Sequence, residues 1–420
     1  MLDRRNLLLV TFGSLLSSTT RAFGTYPPKR NKLDLRRIYL DNAATSFPKP
    51  EAVYAAVDDY NRRIGTSVGR GAYRAAIDAA GIVSRCRKKI ADLLGAEAPD
   101  RIVFTFNGTD SLNLGIHGLL RSGDHVITSE VDHNSVQRPL RELRRKLNIE
   151  VTRVPANAEG KIDPADFRRA LRPNTRLVAL VHASNVTGAI QPVADVGEIA
   201  RKAGVLYLVD AAQSAGHLPI DLKNLPIDLL ACPGHKGLLG PLGTGVLYLR
   251  PGVEARLDSF RQGGTGTQSE DDVQPETLPD KYESGNHNAP GLAGLEAAVS
   301  WLAERGVRAI QKHEQELTSQ FLEGLARIRG VRLLGPSSTD GRVGVVSVAI
   351  DGVGPQHAAS ILDEQFGIEV RAGLHCAPGA HRAIGRLESG GTVRFSVGPF
   401  TTPADISAAL EAMTQITSSV

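Results

Sequence analysis

The stretch Leu208-Val209-Asp210-Ala211-Ala212-Gln213, followed by Ala231-Cys232-Pro233-Gly234-His235-Lys236-Gly237, decides the fold. The run over 205–210 is apolar until it stops on a carboxylate, which reads as a buried strand delivering Asp210. The second segment reads as another strand, ending in Gly-His-Lys within a glycine-rich turn. Working outward, strands are expected over 101–105, 125–128, 150–154 and 175–182. Helices are expected between them over 111–120, 136–147, 164–171 and 195–203. Apolar strands separated by amphipathic helices argue for an α/β chain with a mostly parallel sheet covered on both faces. From residue 290 onward the pattern changes to long helices over 291–304 and 310–328, a strand over 344–350 and a helix over 355–366. We therefore expect a large domain over 37–290 and a smaller α+β domain over 291–420. The N-terminal segment contributes to the smaller domain, and a long polar loop over 263–280 lies between the two.

Composition narrows the classes. The chain has 420 residues, 41% hydrophobic and 22% charged, as an ordinary globular enzyme of two cores would. A net charge of +4, without basic runs interleaved with aromatics, gives no support to nucleic-acid binding. No apolar stretch approaches the roughly 20 residues of a membrane span. Cys86, Cys232 and Cys376 are too few for a disulfide framework and lack metal spacing such as Cys-x-x-Cys, so no metal site is expected. Over 1–24, Arg4-Arg5 precede an apolar run and Thr20-Arg21-Ala22 follows it. This resembles a twin-arginine export signal. It reads equally as an over-extended start or a disordered tail, so the compartment stays open between cytoplasm and periplasm.

The chemistry-bearing residues fall at strand ends, where α/β sheets bind ligands. At Asn107-Gly108-Thr109-Asp110 a strand gives way to a helix, whose free N–H groups and dipole suit an anion such as phosphate. His133 follows the strand ending at Thr128 and is suited to stacking on a flat ring and moving protons. Asn185 follows the strand ending at His182. Asp210 and Lys236 complete the set. An acid and a lysine at neighbouring strand ends are what pyridoxal 5'-phosphate (PLP) requires: the lysine for a Schiff base, the acid for the pyridine nitrogen. Gly237 to Gly245 lacks the Lys-Ser/Thr ending of a nucleotide loop and leads into a strand, so it reads as flexible backbone around Lys236. In Arg371-Ala372-Gly373-Leu374-His375-Cys376-Ala377-Pro378-Gly379 a thiol sits in a Gly/Pro-rich loop beside positive charge. That setting favours a thiolate, and a mobile loop would carry it to substrate. Arg394 stands mid-strand in Thr392-Val393-Arg394-Phe395-Ser396, a costly place for a cation unless an anion such as a substrate carboxylate pairs with it.

From Tyr39-Leu40-Asp41-Asn42-Ala43-Ala44-Thr45 through Asp-Ala-Ala-Gln, Gly-His-Lys and Arg-Ala-Gly-x-His-Cys to the Arg394 strand, the chain resembles the class V aminotransferase group of fold-type I PLP enzymes. Within that group it is most similar to the cysteine desulfurases. The resemblance implies a PLP-binding large domain with a sheet of the seven-stranded type, a small C-terminal domain and a homodimer. It implies that Lys236 is the Schiff-base lysine, His133 a stacking acid/base, Asp210 the pyridinium partner, and Gln213 and Asn185 donors near the phenolic oxygen. Gly108, Thr109 and His235 hold the phosphate, Arg394 with Asn185 and Arg371 the substrate, and Cys376 accepts sulfur as a persulfide. The implied reaction converts L-cysteine to L-alanine and passes sulfur to an unidentified acceptor. Two departures stand out. Pro233 occupies the place of a serine before Gly-His-Lys. Asn286, in Glu283-Ser284-Gly285-Asn286, occupies the place of a threonine offered to a partner's phosphate. The alternatives are a related PLP lyase or epimerase, such as a selenocysteine lyase or an isopenicillin-N-epimerase-like enzyme, and a sulfur-relay scaffold without turnover.

Overall fold

The computed structural model describes residues 36–419 apart from 70 and 269, so the leader over 1–24 lies outside the described residues. Its first elements are a short strand β1 (Ile38–Tyr39) and helices α1 (Glu51–Asp59) and α2 (Arg74–Leu94). Alternation then sets in: β2 (Ile102–Thr105), α3 (Gly108–Leu119), β3 (His125–Ser129), α4 (Asn134–Leu147), β4 (Glu150–Val154), α5 (Pro164–Ala170), β5 (Thr175–Val181), α6 (Val193–Lys202), β6 (Leu206–Asp210), β7 (Leu229–Pro233) and β8 (Gly245–Leu249). Seven of these strands form one sheet in the order β2-β8-β7-β6-β5-β3-β4, parallel except for β8, which runs against both its neighbours. The leucine- and valine-rich runs of β6, β7 and β8 are buried at every position, as central strands covered on both faces must be. At the edge, β4 carries Glu150, Thr152 and Arg153 and is largely exposed, which blunts further strand pairing.

The remainder comprises α7 (Ala289–Arg305), α8 (Val307–Leu325), β9 (Val331–Leu334), β10 (Val345–Ile350), α9 (Pro355–Phe366), β11 (Ile368–Glu369), β12 (Arg371–Gly373), α10 (Pro378–Ala383), β13 (Thr392–Ser396) and α11 (Pro403–Ser418). An antiparallel sheet runs β12-β13-β10-β9, and β1 pairs with β11. Leu292, Leu295, Val299 and Leu302 of α7 bury themselves in the large-sheet core. A second core starts with Leu317 of α8 and takes in Phe321, Val348, Phe395 and Met413, together with Ile38 of β1 and Leu40 just after it. The chain leaving β1 thus lies on the second sheet, and a bridge between Asp41 and Ser396 holds it beside β13.

Two expectations of flexibility change. The turn after β7 is closed by Gly240 N–H to Gly234 O (2.7 Å), Gly234 N–H to Thr244 O (2.8 Å) and Thr244 Oγ1 to Pro241 O (2.7 Å). It is a tied loop rather than slack backbone, because its glycines permit close packing. A Cβ on Gly237 would lie 2.3 Å from Ala215 O. The Cys376 segment is likewise a short turn wedged between β12 and α10, with His375 and Cys376 both in the left-handed region (φ 46° and 57°). Its carbonyls and side chains are held from outside, as described below, so the turn is anchored at its backbone in this structure.

Candidate functional site

A cavity opens at the carboxyl ends of the parallel strands. Gly108, Thr109, His133, Asn185, Asp210, Gln213, His235 and Lys236, the residues expected to hold a cofactor, all line it. Each arrives by its own element. Asp210 closes β6, and Lys236 follows β7 in the tied turn. Asn185 follows β5, and His133 is the N-cap of α4. Gly108 and Thr109 are the first residues of α3, whose Asn107 cap accepts the Asp110 N–H (2.9 Å). The Gly108 and Thr109 N–H groups lie in the first turn of that helix and point no intrahelical bond.

Pro233 closes β7 directly behind this helix start. A Cβ on Gly108 would come within 3.1 Å of Pro233 Cδ and 3.2 Å of its nitrogen, so α3 begins flush against the proline ring. The ring offers neither a hydroxyl nor an N–H there, which leaves the α3 N–H groups, Thr109 and His235 as the polar groups at this end of the cavity. The His235 Nδ1 is buried without a partner among the described residues. Its carbonyl, by contrast, accepts Ser46 N–H (3.0 Å) and Thr45 Oγ1 (3.0 Å).

Electrostatics set the protonation states. Burial lowers Lys236 to about 8, with Asp210 pulling the other way. Burial raises Asp210, opposed by the Ala212 N–H (2.9 Å to Oδ1) and by Lys236. His133 is brought down to about 4, chiefly by burial and then by Lys236 and Arg371. It is therefore neutral near pH 7. The Ser135 N–H donates to its Nδ1 (3.1 Å), which leaves the ring hydrogen on Nε2. Ser135 Oγ lies 2.8 Å from both that Nδ1 and Thr109 Oγ1, so one hydroxyl couples the imidazole to the α3 end of the cavity. Burial and Lys236 bring His235 down to about 4 as well.

Arg394, Arg371 and Cys376 stand beside the cavity, on the second sheet and its turn. Arg394 is nearly inaccessible (1% of its side chain) and donates from Nη1 to Asn185 O (3.2 Å) and from Nη2 to Asp41 Oδ1 (2.6 Å). The anion expected for this mid-strand arginine is therefore already present as Asp41, a residue given no role by the sequence reading. Arg371 sits directly across β12–β13 from Arg394, which places a second arginine beside the Arg394–Asp41 pair. Asn185 Nδ2 is committed to His375 O (2.6 Å), and Gln213 Nε2 to Ala43 O (2.9 Å).

Cys376 is the exposed thiol of the three. Cys86 and Cys232 are buried, and burial raises both, Cys232 to about 12. Arg371 Nη2 lies 3.9 Å from Cys376 Sγ. The Cys376 carbonyl accepts the Asn134 N–H (2.8 Å), next to His133 on α4. Beneath the turn, Thr392 Oγ1 lies 2.9 Å from His375 Nε2 and 3.3 Å from His381 Nε2. His381 Nδ1 in turn meets Ala377 O (3.1 Å). This buried polar chain supports the two left-handed residues.

Asn286 and Gly285 line a separate recess with Phe104, Phe106, Gly243 and Arg261. There Glu283 is anchored by Arg87 (2.6 Å) and by Phe104 N–H (2.6 Å). Among the described residues no group of three or more His, Cys, Asp or Glu could hold a metal, and no helix is long and apolar enough to cross a membrane.

Comparisons with known proteins fall on the same span. The family model described as Aminotransferase class-V matches residues 38–409. A probable cysteine desulfurase of Methanothermobacter thermautotrophicus is 38% identical over 383 residues, covering 90% of this chain and 94% of that protein. The cysteine desulfurase of Haloferax volcanii is 32% identical over 355 residues, covering 83% and 82%. The apo structure of cysteine desulfurase from Thermococcus onnurineus superposes with a TM-score of 0.85 at 34% identity, covering 91% of this chain and 95% of that one.

Proposed function

The chain belongs to the class-V aminotransferase family, and from that premise we propose that it is a PLP-dependent cysteine desulfurase converting L-cysteine to L-alanine. The observation that carries the reading is the tethering of an exposed thiol to a lysine–aspartate cavity. Asn134 and Asn185 bind the backbone of Cys376 and His375 to the elements that bear His133 and β5. An epimerase needs no thiol nucleophile held there.

The residues present fit PLP. The phosphate would lie against the α3 N–H groups, Thr109 and the unpartnered Nδ1 of His235. Asp210 would meet the pyridine nitrogen, and His133 would lie along the ring. When bound and linked to Lys236, PLP delocalises the electron pair left by a departing α-proton. A buried Asp210 with one N–H donor keeps acceptor capacity for a cationic N–H, which would hold its carboxylate charged. Lys236, lowered to about 8, can take and return a proton near neutrality. Neutral His133 can donate from Nε2. Arg394 and Arg371, one carboxylate short of neutrality, supply the charge for a substrate carboxylate. Cys376 then takes the substrate sulfur: the substrate C–S bond breaks, an S–S bond forms, and a proton at the former Cβ completes alanine.

Exposed Phe106 (50%) and Leu242 (66%), near the phosphate end of the cavity, support a homodimer joined there, which would also cover the Asn286 recess. The test is incubation of PLP-loaded protein with L-cysteine and a reductant, measuring alanine and sulfide together. Equal yields, both lost in Cys376→Ala, support the assignment. Alanine that persists in Cys376→Ala refutes it.

A further inference from the structure

Positive charge goes uncompensated just outside the cleft. A groove of about 280 Å³ runs between the start of α4, β4 and α10, and Arg138, Arg141, Arg153 and Arg382 line it. All four are exposed, and none makes an ion pair among the described residues. Two acids belong to the same wall. Asp132 is turned inward, where it accepts Thr128 Oγ1 (2.6 Å), Ser129 N–H (2.7 Å) and Val181 N–H (2.6 Å), leaving Glu130 as the acid facing four guanidiniums. Farther along α4, Glu142 is taken by Arg145 and Lys146.

The groove adjoins the thiol. Pro378 and Gly379 of its wall follow Cys376 in the chain, and its Asn134 donates to the Cys376 carbonyl (2.8 Å). Gly379 lies against the Glu130 carbonyl so closely that a Cβ there would come within 2.1 Å of it, so the α10 side is packed onto the α4 side. The space suits a small ligand, and four forked donors suit a molecule with more than one carboxylate.

We propose that this groove binds a small thiol carrying two or more carboxylates, the acceptor that removes sulfur from Cys376. This rests on the reading of Cys376 as the persulfide carrier. In the transfer, the acceptor thiolate attacks the outer sulfur of the Cys376 persulfide. The S–S bond to Cys376 breaks as a new S–S bond forms, yielding the acceptor persulfide and the Cys376 thiolate with no net oxidation or reduction.

The experiment uses PLP-loaded protein turning over L-cysteine with mercaptosuccinate (dicarboxylate), 2-mercaptoethanol (neutral) or cysteamine (cationic) as the added thiol. The expected KM for mercaptosuccinate lies about tenfold below that for 2-mercaptoethanol, the worth of one to two well-placed ion pairs. In the variant R138Q/R141Q/R153Q/R382Q this preference collapses, while alanine from a single turnover and the rate with the neutral thiol are unchanged. In wild-type protein, salt at about 0.5 M erases the preference too, a check independent of variant folding. Equal KM values for the three thiols in wild type, or a preference that survives the quadruple variant, overturn the proposal. If wild type forms no alanine, the desulfurase reading fails separately. Calorimetry with succinate then decides the groove by itself: binding lost in the quadruple variant sustains an anion site, and equal binding removes it.

Discussion

Replacing Asp41 by Asn tests how the arginine pair is held. Arg394 is buried and Asp41 is 20% exposed, joined at 2.6 Å, while Arg371 faces Arg394 across the strand pair. Removing the one carboxylate leaves two adjacent guanidiniums unneutralised. Breaking a buried pair costs about 3–5 kcal/mol, and the amide oxygen of Asn, still able to accept from Nη2, returns about 1. A net loss of about 2–4 kcal/mol lowers the melting temperature by roughly 2–5 °C in a chain of this size. The freed charge acts in the opposite sense on ligands. A carboxylate no longer competes with Asp41, so L-alanine should bind about tenfold more tightly and raise the melting temperature of the variant more than that of wild type. Thermal melts of both proteins across an L-alanine titration read both effects. A variant melting within 1 °C of wild type would refute the energetic argument. A lowered melt without enhanced ligand stabilisation would refute the claim that Asp41 and a substrate carboxylate share one cationic site.

Other outcomes follow from the same geometry. Capture of PLP by apo protein, followed by absorbance, should accelerate as pH rises through about 8, because only the neutral Lys236 amine is a nucleophile; a flat profile contradicts the lowered lysine. Gly237→Ala would place a Cβ 2.3 Å from Ala215 O and 2.6 Å from the His217 ring, and should reduce PLP uptake at least tenfold, since Lys236 is its neighbour. Thr392→Val removes the hydroxyl between His375 and His381 and should cost about 1–3 kcal/mol in chemical denaturation. Burial brings His182 down to about 4, below its unfolded value near 6.5, so the unfolded chain binds its proton first and stability falls as pH drops from 6.5 toward 4. His182→Gln should recover up to about 3 kcal/mol of that acid loss, and equal pH slopes for the two proteins would contradict it.

What the sequence disclosed was whatever depends on one strand and its end. Asp210, Lys236, His133 and Thr109 are each legible because a parallel strand fixes where its carboxyl end lies, and the next residue must fall at that edge. Partners from distant segments were not legible. Asp41 lies 353 residues from Arg394, and the pairing of the segment after β1 with Ser396 brings them together. The contacts that anchor the two glycine-rich turns were hidden for the same reason. Gly and Pro report what the backbone can do locally, whereas Asn134, Asn185 and Thr392 decide what it does, and none of these is near Cys376 in a local window except Thr392.

The cysteine turn also depends on how the two cores meet. Its flanking strand β12 belongs to the second sheet, while the groups that hold its carbonyls, Asn134 N–H and Asn185 Nδ2, belong to the large one. Arg394 crosses the same boundary to Asn185 O, and Gln213 reaches across it to Ala43 O. A displacement of one core against the other would therefore shift the thiol, the guanidinium and the asparagine together rather than one at a time. Four hydrogen bonds of about 1 kcal/mol each resist that displacement. The position of Cys376 relative to Lys236 is accordingly a property of how the two cores pack, set by contacts that neither core could supply alone.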